Sequence, residues 1–120
     1  MKIIRANEIK NEPRVGYKVK KLLGIKFEKA IDTAVFYETT IPLNGDFKEQ
    51  WHKQSYESIY FLTSGMAIID GKEYEFEKGD LLFLHPNEKH KFIATNGDLI
   101  IQAIRFPDLP NDKFVSDLNE

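Results

Sequence analysis

Three histidines and the carboxylates and cations near them carry the chemistry available to this chain. One stretch runs Trp51-His52-Lys53-Gln54-Ser55-Tyr56-Glu57. A second runs from Gly79 to His90 and holds His85 and His90 on either side of the Pro86-Asn87 turn. Imidazole nitrogens and carboxylate oxygens are the donors that iron, manganese, nickel and zinc share, so His52, Glu57, His85 and His90 are the metal candidates. Lys53 and Glu57 are the candidates for moving a proton. Arg105, in the last strong strand, could clamp a carboxylate, since a guanidinium matches that shape with two parallel bonds. Each has an ordinary alternative: a solvated turn histidine, an exposed strand glutamate, a surface arginine. A Lys53–Glu57 ion pair without metal competes with the metal reading, because a lone ammonium inside a barrel is costly.

These residues need strands to hold them, and strand signals dominate the chain. Thr33–Ile41, Ser58–Leu62, Met66–Ile69, Lys72–Phe76, Leu81–Leu84, Lys91–Ala94 and Leu99–Phe106 are β-branched, aromatic or apolar runs. Turn residues separate them at short intervals. Asp70-Gly71 is a strong two-residue hairpin signal, because that turn needs positive φ at both central positions. Lys20–Phe27 reads as a further strand leading into the sheet. The prolines and polar residues after Phe106 cannot continue a central strand and are expected to wrap the outside. Many short strands at near-regular spacing predict an all-β sandwich or closed barrel, with residues 1–120 forming a single domain.

Composition excludes several classes. The 120 residues are 42% apolar and 30% charged, with a net charge of -2, which offers nothing to nucleic acid or an anionic membrane. No cysteine is present, so disulfides, thiolate metal sites and cysteine nucleophiles are absent. The N-terminal residues lack the apolar run of a signal peptide, and no stretch approaches a membrane span; a cytoplasmic location is the expectation.

The two stretches resemble the motifs of the cupin superfamily: a glycine, a His-x-His pair, a glutamate and a glycine, then a glycine, a proline and a histidine. Gly79, Pro86 and His90 fit the second motif. The first fits in two registers. Anchored on Gly65, the ligand positions fall on His52, Gln54 and Ser58; anchored on Glu57, they fall on Trp51, Lys53 and Glu57. The two sets point to opposite faces of an ideal strand unless a bulge intervenes.

A closer resemblance is to the L-ectoine synthase family. It rests on Phe36-Tyr37-Glu38-Thr39-Thr40-Ile41, on Trp51-x-Lys53-x-x-Tyr56-Glu57 with Tyr60, on Asp70-Gly71-Lys72 and on Gly79 to His90. It implies the jelly-roll, or double-stranded β-helix, barrel of a cupin, the Glu57 register, and an iron held by Glu57 and His90. It further implies a lyase that closes a ring by eliminating water, and Thr39, Trp51 and Arg105 beside the substrate. The chain departs from that family at Leu82, where a ligating tyrosine is expected, and at Ala103 and Arg105. His52 or His85 must then supply a third ligand. The expectation is a metal-dependent cupin with iron, manganese, nickel or zinc, acting on a small anionic metabolite by elimination, cyclisation or isomerisation, and forming a homodimer. The alternative is a binding module with no metal.

Overall fold

The computed structural model describes residues 1–116. Twelve short strands build it among the described residues. They are β1 (Lys2–Ile4), β2 (Glu12–Arg14), β3 (Tyr17–Val19), β4 (Val35–Ile41), β5 (Gln50–His52), β6 (Tyr56–Phe61), β7 (Gly65–Ile69), β8 (Lys72–Phe76), β9 (Leu81–Leu84), β10 (His90–Ile93), β11 (Leu99–Phe106) and β12 (Lys113–Val115). One five-stranded sheet has the order β1-β9-β6-β11-β4 and a second the order β12-β5-β10-β7-β8; β2 and β3 form a separate hairpin. All pairings are antiparallel. No described helix is long and apolar enough to cross a membrane.

Alternation decides what faces inward. Glu57, Ile59 and Phe61 of β6 are buried while Tyr56, Ser58 and Tyr60 are half-buried on the other face. On β11, Leu99, Ile101 and Ala103 point into the same core, and the register places Ala103 opposite Ile59 and Arg105 opposite Glu57. Apolar residues fill one end of the space between the sheets. There Phe61 and Phe76 stack with ring centroids 4.3 Å apart, and Phe92 meets Phe61 edge-on. The other end collects Glu57, His90, His52 and Arg105, each at the terminus of its strand.

The turns follow their chemistry. Asp70 and Gly71 take φ of 49° and 82°, as the tight β7–β8 hairpin requires. Gly65 is needed for closeness instead. A Cβ there would meet the Leu99 side chain at 2.8 Å and the Ile93 carbonyl at 3.2 Å.

Two expectations need correction. Lys20–Phe27 forms no strand; Leu22, Leu23 and Ile25 instead line a cavity with Tyr60, Leu81 and Ile104 of the first sheet. The segment after Phe106 does not merely wrap the surface. Residues 113–115 pair with β5 and form the edge of the second sheet, where a short strand after prolines is tolerated.

Candidate metal centre

The first donor, His52, ends β5 in one sheet, and Glu57 is the second residue of β6 in the other. Between them Lys53, Gln54 and Ser55 turn the chain across the sandwich. One carboxylate holds that corner. Asp112 accepts hydrogen bonds from the N–H groups of Lys53 (3.1 Å), Gln54 (3.1 Å) and Ser55 (2.9 Å), and from the Ser55 hydroxyl (2.9 Å). Ser55 Oγ also reaches the Pro107 carbonyl at 2.7 Å. Burial alone would raise the Asp112 carboxyl, but these donors hold it below the usual carboxylate value.

The corner resolves the two registers. An odd spacing of five residues would separate His52 and Glu57 on a single strand; across a change of sheet both point inward. His52 Nε2 lies 3.8 Å from Glu57 Oε1, and His90 Nε2 lies 3.3 Å from the same oxygen. All three residues are buried, and their ligand atoms lie within 4.8 Å of one another.

Both imidazoles are fixed in the same tautomer. His52 Nδ1 lies 3.0 Å from the Asp112 carbonyl oxygen and His90 Nδ1 lies 3.1 Å from that of Glu88. A carbonyl only accepts, so each Nδ1 carries a proton, and each ring in its neutral form presents a bare Nε2. His52 Nε2, His90 Nε2 and Glu57 Oε1 are buried and have no hydrogen-bond partner. Burial lowers the His52 pKa, with Arg105 and His90 adding to the effect, against the opposing pull of Glu57 and Asp112. Burial works to raise the Glu57 carboxyl, but His90, His52 and Arg105 outweigh it and hold the pKa below the ordinary value. With both rings neutral and Glu57 ionised, three lone-pair donors converge on one point. Buried acceptors left unpaired are costly, and one divalent cation satisfies all three at once. Two imidazoles and a carboxylate suit iron(II), manganese, nickel or zinc, so these residues fit such an ion.

A cavity of about 280 Å³ opens beside the cluster, lined by Tyr37, Thr39, Gln50, Glu57, Ile59, Phe92, Arg105 and Lys113 among others. Thr39 and Arg105 thus share one space with Glu57. Arg105 donates through Nη2 to the Tyr37 hydroxyl at 3.0 Å and reaches Asp108 at 3.5 Å, while its buried Nε has no acceptor.

Other expected positions lie elsewhere. Lys53 is exposed at the corner with Nζ 4.5 Å from the Phe114 ring centroid, so it neither enters the barrel nor pairs with Glu57. Trp51 faces outward, stacked on Phe114 and covered by the Lys89 ammonium. The register that put Trp51 and Lys53 in the lumen is therefore corrected to Gln50 and His52, because β5 ends before β6 begins. His85 is exposed on the outer face near Phe83 and Tyr56, since Leu82 and Leu84 take the inward positions of β9. That leaves His52 beside Glu57 and His90. Leu82 is fully buried opposite Ile59 in the apolar core. Sequence reading missed Asp112, Gln50 and Lys113. The non-strand triplet Lys53-Gln54-Ser55 and the odd His52-to-Glu57 spacing signal a corner; nothing local points to Asp112, 57 residues beyond Ser55.

No protein-family model matches the chain. The HTH-type transcriptional activator RhaR of Escherichia coli K12 is 29% identical over 58 residues, which are 48% of this chain and 20% of RhaR. The chain spans about a fifth of the length of the curated relatives it matches. Among solved structures, a cupin protein from Bacteroides fragilis superposes with a TM-score of 0.57 at 24% identity, over 68% of this chain and 73% of that one. A dTDP sugar isomerase from Desulfovibrio desulfuricans gives 0.66 at 12% identity, over 98% and 84%. Pac13, a nucleoside dehydratase from Streptomyces, gives 0.57 at 15% identity, over 97% and 94%. At these identities the likeness establishes the fold, and the fold is that of a cupin.

Proposed function

We infer that this cupin-fold chain is a metal-dependent enzyme acting on a small anionic metabolite by elimination, cyclisation or isomerisation. The observation that carries the reading is the convergence of three buried, unpartnered acceptors, His52 Nε2, Glu57 Oε1 and His90 Nε2. His52, Glu57 and His90 would hold the ion; when bound, it supplies a Lewis acid for a carbonyl or hydroxyl oxygen. The chain's own groups do the rest. Arg105 attracts and orients the anion, Thr39 and Gln50 offer neutral polar contacts, and Ile59, Phe92 and Ile101 keep the inner wall dry. Tyr37 and Lys113 line the same cavity and are able to move a proton; Lys53 is too far out to do so. The neighbours' names, a nucleoside dehydratase and a sugar isomerase, support this range of reactions, as does the resemblance to ectoine synthase. A homodimer belongs to the same proposal and is tested by light scattering.

A second reading is a metal-free sensor that binds its ligand without turning it over. The partial match to a transcriptional activator favours it. Elemental analysis of protein purified without chelator separates the two. Near-stoichiometric iron, manganese, nickel or zinc, lost in Glu57→Ala, His90→Ala and His52→Ala, is expected. No metal in the wild type, even after incubation with divalent ions, would end the enzyme reading in favour of the sensor.

A further inference from the structure

Arg105 holds a donor that the fold leaves idle. Its side chain is only 13% exposed, and its buried Nε–H meets no acceptor. Nη2 is already engaged by the Tyr37 hydroxyl and approached by Asp108. A buried N–H of a cationic guanidinium left without an acceptor is expensive and calls for a partner. Glu57 is the one carboxylate lining the cavity, and its Oε1 sits among the two imidazoles instead.

Charge and size narrow that partner. Arg105 and Glu57 cancel, so a divalent ion leaves the cavity with an excess of positive charge, to which Lys113 adds at the wall. A neutral ligand leaves that excess uncompensated. A phosphate dianion meets the Asp108 carboxylate, 3.5 Å from Nη2, with twice the repulsion that a monoanionic carboxylate meets. At about 280 Å³ the cavity has room for a small metabolite. Arg105 also faces Glu57 directly across the β6–β11 ladder, which puts the anion-binding group and the metal cluster side by side.

We propose that the cavity receives a short hydroxy- or oxo-carboxylic acid, with its carboxylate on Arg105 Nε–H and its hydroxyl or carbonyl oxygen toward His52, Glu57 and His90. The second contact and the charge excess that favours an anion rest on the metal reading above; the idle Arg105 Nε–H does not.

The test is calorimetric titration of manganese-loaded protein with glycolate, lactate and malate, against lactamide and propane-1,2-diol as neutral probes, with metal content measured on every sample. The expected result is that at least one acid binds at least tenfold tighter than lactamide. Arg105→Gln should keep its manganese yet bind that acid about ten- to a hundredfold more weakly, the range for a lost charge-assisted bond. Absence of acid binding, equal binding of lactamide, or an unchanged Arg105→Gln would each overturn the proposal. The comparison of acid with amide in the wild type stands even if that variant fails to fold. Acid binding that depends on Arg105 in a wild type that takes up no manganese would sink the metal reading while supporting the carboxylate site.

Discussion

At the scale of the residue, the site is defined by what its side chains lack. In their neutral forms His52 and His90 each give their N–H to a backbone carbonyl, which leaves both Nε2 atoms and Glu57 Oε1 without a hydrogen-bond partner. Removing any one donor therefore removes a ligand and not merely a contact. Metal content should fall from near-stoichiometric to trace in Glu57→Ala and His90→Ala, read by elemental analysis. Lys53→Ala and His85→Ala should keep full metal, because both side chains are exposed and stand away from the three donors. The sequence made Glu57 and His90 legible, since their motif spacing marks an inward position. It did not reveal that His52 points inward while Trp51 and Lys53 point out. Alternation assigns faces only within one strand, and nothing in single-strand logic announces where a strand stops. His85 was equally ambiguous, because Leu81 to Leu84 is apolar at every position and hides its own parity.

At the scale of the element, the sheet-to-sheet corner depends on one carboxylate. Four donors from residues 53–55 converge on Asp112, and the same residue's carbonyl holds the His52 ring. Asp112→Ala leaves those donors in a buried site without an acceptor, a loss of at least about 2–3 kcal/mol read by denaturant unfolding. Metal affinity should drop about ten- to a hundredfold in the still-folded protein, as happens when a ligand loses its supporting bond. The pH dependence has a definite sign. A carboxyl whose pKa is lowered on folding adds stability above its unfolded value, about 3.9, and that stability is lost as pH falls through the lower folded value. Wild type should therefore lose melting temperature more steeply than Asp112→Asn as acid is added below about pH 4. The strands themselves were readable, because β-branched runs and turn residues act locally. The corner was not, because its anchor comes from the far end of the described chain.

At the scale of the whole molecule, the sandwich is polar at one end and apolar at the other. Stacked Phe61 and Phe76, with Phe92 edge-on, fill the apolar end, and fully buried Leu82 belongs to the same core. Phe61→Ala should cost about 3–5 kcal/mol through lost burial and a cavity, yet leave metal stoichiometry unchanged in the folded fraction, measured by elemental analysis beside thermal unfolding. This division also accounts for Leu82 standing where the ectoine synthase resemblance expects a ligand. With His52 turned inward by the corner, the proposed third donor comes from the second sheet, and Leu82 of β9 lies in the core.

The Asp112 corner also sets an order of events. During synthesis, residues 50–57 and 88–90 leave the ribosome well before residue 112 does. A nascent chain at that stage already carries all three donors but lacks the carbonyl that aims His52 and the carboxylate that bends residues 53–55. On the metal reading, capture of the ion therefore waits for the strand that closes the second sheet. Until that strand arrives, the three donors are present but unaimed.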